Sequence, residues 1–205
     1  LKPHMLDMGL EDQVKIRTKT GIPVPNVQLE IIDPEGKPLP RDGKSAGEIV
    51  VRTPWLTQGY LKDPEKSEEL WADGWLHTGD IGSIDGEGYL QITDRVKDVI
   101  KTGGEWLSSL ELEDIVSQHE AISEAAVVGI PDEKWGERPM ALLVLKEGYK
   151  DKVSVEDIEN WFSKYVDSGQ IPKYGVPSKI MFVDDIAKTS VGKINKKEIR
   201  SQYNN

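Results

Sequence analysis

Between Asp94 and Lys101 the chain places one Arg, two Lys and two Asp in eight residues (Asp94, Arg95, Lys97, Asp98 and Lys101), and the pair Gly103-Gly104 follows. Charges of both signs at this density make a polar hinge or a nucleotide contact, and a Gly pair lets another molecule approach the backbone closely. A solvated turn has the same composition. Arg95 offers five donors in a rigid fork, which suits ribose or phosphate oxygens; its plain alternative is a surface ion pair with Asp94 or Asp98, worth little. Asp80 follows Thr78-Gly79, so its carboxylate is expected on a tight loop. A carboxylate there can accept from both hydroxyls of a ribose, or simply cap its own turn. Lys193 closes the string Lys188-Thr189-Ser190-Val191-Gly192-Lys193, within a basic run that includes Lys196, Lys197 and Arg200. A lysine on such a loop can stabilise developing negative charge, or the run can be a solvated cationic helix start. It is not a phosphate loop of the Walker kind: the first required Gly is Ala187, and Ile194 stands where Ser or Thr is needed.

These residues must be positioned by two kinds of sequence. Leu10 to Ile16 is a short amphipathic stretch, ended by the breaker Gly21-Ile22-Pro23-Val24-Pro25. Val27–Ile32 alternates with period two, Glu48–Arg52 reads as a second strand after the Asp33-Pro34-Glu35-Gly36 turn, and Tyr89–Ile92 as a third. Strands at this spacing predict a small β-rich subdomain over about residues 20–95. The pattern then changes. Ser108-Ser109 can cap a helix through Gln118, and Ser154-Val155-Glu156-Asp157 has capping-box spacing ahead of Ile158, Trp161, Phe162, Tyr165 and Val166, read as core. Ala125–Ile130, Ala141–Leu145 and Lys179–Val183 read as strands, and Asn195 caps a last helix through Gln202. The expected class is α+β, a β-rich subdomain followed by a compact α+β domain.

Composition narrows the function. The 205 residues, 30% charged and 37% hydrophobic, suffice for a buried core. A net charge of −10 argues against a general nucleic-acid binder. Without cysteine there is no disulfide or thiolate chemistry, and His4, His77 and His119 are too scattered for a His-rich metal site. No apolar run is long enough to span a bilayer. The chain opens at Leu1 in what reads as mid-protein sequence, so a fragment is expected.

Three strings in order, Gly74-Trp75-Leu76-His77-Thr78-Gly79-Asp80, the segment 93–106 and Lys188–Ile194, resemble the C-terminal signatures of the adenylate-forming superfamily, which includes acyl-CoA synthetases, peptide-synthetase adenylation domains and luciferases. Gly47–Tyr60 and Pro131–Pro139 also resemble strings of that family, so the resemblance covers nearly the whole chain. It implies that Asp80 and Arg95 contact ATP or AMP, that Lys97 is the hinge of the C-terminal domain, and that Lys101, as a catalytic residue, and Gly103 and Gly104, as cofactor-binding residues, face the CoA thiol in the second half-reaction. It implies for Lys193 the catalytic role in acid activation, where a carboxylate approaches the α-phosphate and two anions at about 4 Å repel by roughly 4 kcal/mol. Two positions depart from the pattern. Asp94 replaces the usual Gly, as in a branch resembling fatty-acid ligases, and Ala187 replaces a Pro.

By resemblance, residues 1–97 are the last subdomain of the AMP-binding domain and 98–205 its C-terminal domain. The phosphate loop, the adenine segment, the Mg-binding acid and the acyl pocket would precede Leu1. The expected parent is a cytoplasmic acid–CoA ligase, leaning toward fatty acids through Glu105–Ser109. Its partners are a small carboxylic acid, ATP, CoA and its own N-terminal domain. An adenylation domain that loads a carrier protein, and a non-catalytic module of the same fold, are the rivals.

Overall fold

The computed structural model describes residues 1–150 and 152–203. They divide into two compact units, Leu1–Lys97 and Asp98–Asn205.

The first unit begins with α1 (Leu10–Arg17), which the amphipathic stretch predicts, but none of its residues is buried within the unit. Strands β1 (Gln28–Ile32) and β2 (Gly47–Arg52) follow, then α2 (Pro64–Leu70), whose N-terminus Asp63 caps by accepting from Lys66 N–H. Next come β3 (Trp71–Ala72), β4 (Trp75–Ile84) and β5 (Leu90–Arg95). The sheet is antiparallel: β1 pairs β2, β2 pairs β4, and β4 also takes β3 at its first residues and β5 along Asp80–Ile84. Ile31, Ile49, Ile84 and Leu90 form its core, with Leu29, Leu39 and Val51 against them. β4 has no clean period-two pattern. Its Gly79 and Gly82 and its polar Thr78 and Asp80 make it read as a loop, whereas pairing on both edges makes it the central strand.

In the second unit β6 (Ile100–Thr102) and β7 (Glu105–Leu107) form a hairpin. After it come α3 (Ser109–Ser117), β8 (Ile122–Asp132), β9 (Gly136–Leu145), α4 (Val155–Asp167), β10 (Lys179–Phe182) and α5 (Lys196–Tyr203). β8 and β9 form a long antiparallel hairpin, β10 adds parallel to β9, and β6 touches β9 through Thr102 and Gly136. The apolar runs in β8 and β9 are continuous because both faces of the sheet are covered. Ala125, Val127, Ala141 and Leu143 pack with Ile115, Val116, Ile158 and Phe162 of α3 and α4. Ala126, Val128, Met140 and Leu142 pack on the other side with Ile186 and with Ile199 of α5. The caps predicted for α3 and α4 form. Ser108 accepts from Glu111 N–H, and Ser154 with Asp157 makes the reciprocal capping box.

Candidate functional site

Asp80 sits in an irregular part of β4, which corrects the expectation of a tight loop. β2 pairs Val50 with His77 and Glu48 with Ile81, so Thr78, Gly79 and Asp80 bulge from the ladder. Gly79 has φ near +70°, a conformation that glycine adopts without strain. The bulge is tied down from within. Glu48 Oε1 accepts from Gly79 N–H (3.2 Å), and Glu48 Oε2 lies 3.0 Å from His77 Nδ1. Thr78 Oγ1 donates to Ile49 O (2.8 Å) and accepts from Asp80 N–H (3.1 Å). The sequence pointed to Glu48 only as part of a strand. Its carboxylate is in fact the brace of the bulge, a role no local signal carries because the two residues it serves lie about thirty positions away.

On its other edge β4 pairs with β5 so that Asp80 stands opposite Arg95. Arg95 Nε is 3.6 Å from Asp80 Oδ1, and both side chains keep open surface, 61% for Arg95 and 38% for Asp80. The pairing differs from the plain sequence alternative of Asp94 or Asp98. Asp94 is buried and accepts from the Arg95 backbone N–H at 2.8 Å, while Asp98 pairs with Arg200. A carboxylate beside a guanidinium, both partly exposed, can offer hydrogen-bond acceptors and donors to one diol or phosphate ester. Lys97 is exposed, in the turn that joins β5 to β6, and is the last residue of the first unit.

Gly103 and Gly104 are the two central residues of the β6–β7 turn, with φ near +61° and +86°. Two positive φ values in a row are the type I′ hairpin geometry, which admits few residues besides Gly, Asn and Asp. Gly103 also lies under Trp135: a Cβ there would come within 2.8 Å of the indole, and its N–H donates to Trp135 O at 2.8 Å. Trp135 in turn stacks on Tyr174 with ring centres 6.4 Å apart. Burial, with the Glu105 charge, holds the Tyr174 phenol above its usual pKa. Lys101 is exposed, and its backbone N–H donates to Glu137 Oε2 at 2.8 Å.

Lys193 stands on a small loop closed at its base by a bridge between Lys188 and Ile194. Thr189 N–H donates to Lys193 O (2.7 Å) and Gly192 N–H to Thr189 O (2.9 Å), so the loop has a fixed backbone and an exposed tip. The basic run around it is largely neutralised by acids, with Lys197 left exposed. Lys188 pairs with Glu124 and Asp185, Lys196 is buried against Glu113, and Arg200 pairs with Asp98. Among the described residues Lys193 enters no ion pair, which leaves its ammonium available. Among the same residues there is no group of three His, Asp or Glu fit to hold a metal ion, and no helix long and apolar enough to cross a membrane.

The Asp80–Arg95 pair belongs to the first unit and the Lys193 loop to the second. The family model for AMP-binding enzymes matches residues 3–61, and that for the AMP-binding enzyme C-terminal domain matches residues 111–193. A long-chain-fatty-acid–CoA ligase of Thermus thermophilus is 40% identical over 206 aligned positions, covering 100% of this chain and 37% of that protein. A 3-methylmercaptopropionyl-CoA ligase of Ruegeria lacuscaerulensis is 40% identical over 96% of the chain and 35% of its own length. The ATP-bound crystal structure of MatB from Rhodopseudomonas palustris superposes with a TM-score of 0.76 at 33% identity, covering 91% of this chain and 36% of that one. The chain belongs to the AMP-binding, adenylate-forming enzymes and corresponds to the C-terminal part of acid–CoA ligases. It spans little more than a third of the length of these relatives.

Proposed function

We propose that this chain is the C-terminal part of an ATP-dependent acid–CoA ligase. That enzyme joins a carboxylic acid to AMP with release of pyrophosphate, and CoA then displaces AMP to give the thioester. The observation that carries the reading is the meeting of Asp80 and Arg95 across β4 and β5, in a chain whose full length aligns with named CoA ligases. In this reading Asp80 accepts from the ribose hydroxyls and Arg95 donates to the nucleotide. Lys193 reaches the α-phosphate and offsets the repulsion of the incoming carboxylate. Lys97 is the pivot of the second unit, and the Lys101–Gly104 hairpin faces the pantetheine arm of CoA. Two features support a further contact with the rest of the AMP-binding domain. Leu10 and Val14 of α1 are exposed, and Leu6 and Met8 just before it are exposed as well.

A fatty acid is the acyl substrate we favour, in a cytoplasmic setting, with Mg held by residues of the preceding domain. The relatives named above act on different acids, so the test is a panel of carboxylic acids from short to long chain. The full-length protein with ATP and CoA should release AMP and form thioester with at least one member. The 205-residue chain alone should show no acid-dependent pyrophosphate release; sustained turnover by it would refute its assignment as one part of the active site. A full-length protein that forms acyl-AMP but passes the acyl group only to a protein-bound pantetheine would replace CoA as the acceptor.

A further inference from the structure

Asp98 is the first residue of the second unit, directly after Lys97. Its carboxylate is 2.9 Å from Arg200 Nη2, and the two side chains are only 19% and 22% exposed. Arg200 lies on α5, the helix that begins three residues after Lys193. The same helix is pinned at its first residue: Lys196 Nζ is 2.8 Å from Glu113 Oε1 and donates to Ser109 Oγ at 2.7 Å. Between the two anchors Ile199 is buried in the sheet. At the other end of the connection Asn195 caps α5, accepting from Glu198 N–H at 3.2 Å, and its own N–H donates to Ala187 O at 2.8 Å. Little slack is left between α5 and the base of the Lys193 loop.

We propose that the Asp98–Arg200 ion pair is a positioning clasp. It fixes α5, and through α5 the Lys193 loop, to the first residue beyond the pivot, so that rotation at Lys97 carries Lys193 as part of a rigid lever. The inference rests on the proposed function, in which Lys97 is the pivot and Lys193 serves acyl-AMP formation. A largely buried pair suits this work, because removing one partner strands a charge and so the pair resists partial loosening. The lysine must also arrive accurately: a misplacement of about 1 Å can cost on the order of 100-fold in rate. The β6–β7 hairpin needs no such clasp, since Val99 alone separates Asp98 from Ile100, the first residue of β6.

The test uses the full-length enzyme that carries this chain. Asp98→Asn is made in the wild-type and Lys193→Ala backgrounds, and each half-reaction is measured separately. In the wild-type background acyl-AMP formation should fall about 10- to 100-fold, while thioester formation from supplied acyl-AMP and CoA stays near normal. In the Lys193→Ala background Asp98→Asn should cost nothing further, because the group it positions is gone. Arg200→Lys keeps a charge contact and should retain most of the rate. Arg200→Gln, which removes the charge at the other end of the pair, carries the same comparison if Asp98→Asn lowers the melting temperature below that of the assay. Equal multiplicative losses in both backgrounds, or equal falls in both half-reactions, would make the pair a structural bond only. Normal acyl-AMP formation by Lys193→Ala alone would overturn the reading of Lys193, and the lever with it.

Discussion

In the first unit, Asp80 and Arg95 are presented by neighbouring strands, facing each other across a ladder and braced from behind by Glu48. In the second, Lys193 is an exposed residue on a short loop closed by the Lys188–Ile194 bridge, and its neighbours Lys188, Lys196 and Arg200 are paired with acids. The contrast suits the roles proposed for these residues. Groups that bind a nucleotide gain from being held in place before it arrives, since ordering them during binding costs affinity. A lysine that meets developing charge must be unpaired until that charge appears, because interactions already satisfied in the ground state do not accelerate the reaction. Pairing Lys188, Lys196 and Arg200 with acids leaves the unspent charge of the run to Lys193 on the loop and to the exposed Lys197 on α5.

The sharpest way to break this contrast is Lys193→Ala in the full-length enzyme. Acyl-AMP formation should drop on the order of 100- to 1000-fold, while supplied acyl-AMP and CoA still give thioester at nearly the normal rate. A parallel fall of both steps would show that Lys193 holds structure. Asp80→Ala addresses the other side. Hydrogen bonds to a charged group contribute roughly 1.5–3 kcal/mol, so the ATP dissociation constant should rise by one to two orders of magnitude. An unchanged constant, measured by calorimetry, would reduce Asp80 to a bulge residue.

Glu48→Gln sharpens the picture with a smaller effect. The amide oxygen can still accept from Gly79 N–H, but the amide nitrogen can meet His77 Nδ1 only as a donor, so the contact survives only in the other imidazole tautomer, at a net cost of about 1 kcal/mol. ATP affinity should weaken several-fold, and the change should vanish in an Asp80→Ala background because Glu48 acts through the bulge. Additive losses would mean that Glu48 stabilises the sheet without aiming Asp80.

The smallest effect concerns Glu111 at the start of α3, where burial, opposed by Gln170 and reinforced by Asp114, raises the carboxyl pKa. A carboxyl whose folded pKa lies above its unfolded value lends stability below the unfolded pKa, and that stability is lost as pH rises through the folded one. At neutral pH the ionised group is therefore a net cost. Glu111→Gln should raise the melting temperature of the 205-residue chain slightly at pH 7, with the gain disappearing below about pH 4, where the native carboxyl is protonated. A gain that grows on acidification would contradict the assignment.

Elements with strong local signals were legible in the sequence. The capping residues Ser108 and Ser154 mark the starts of α3 and α4, and the apolar runs of β8 and β9 identify buried strands, because side-chain types and their period act over a few residues. Asp80, Arg95, Gly103, Gly104 and Lys193 could likewise be named as candidates from residue type and spacing. What lay beyond the sequence depended on which strand lies beside which. Only pairing on both edges makes the glycine-bearing segment 75–84 a strand, only register puts Asp80 opposite Arg95, and only the fold brings Glu48 to the bulge and Asp98 to Arg200. The contacts that aim the candidate groups join residues from fifteen to about a hundred positions apart. Local propensity carries no information at that range, so the sequence determined the chemistry on offer and tertiary structure alone decided how that chemistry is held.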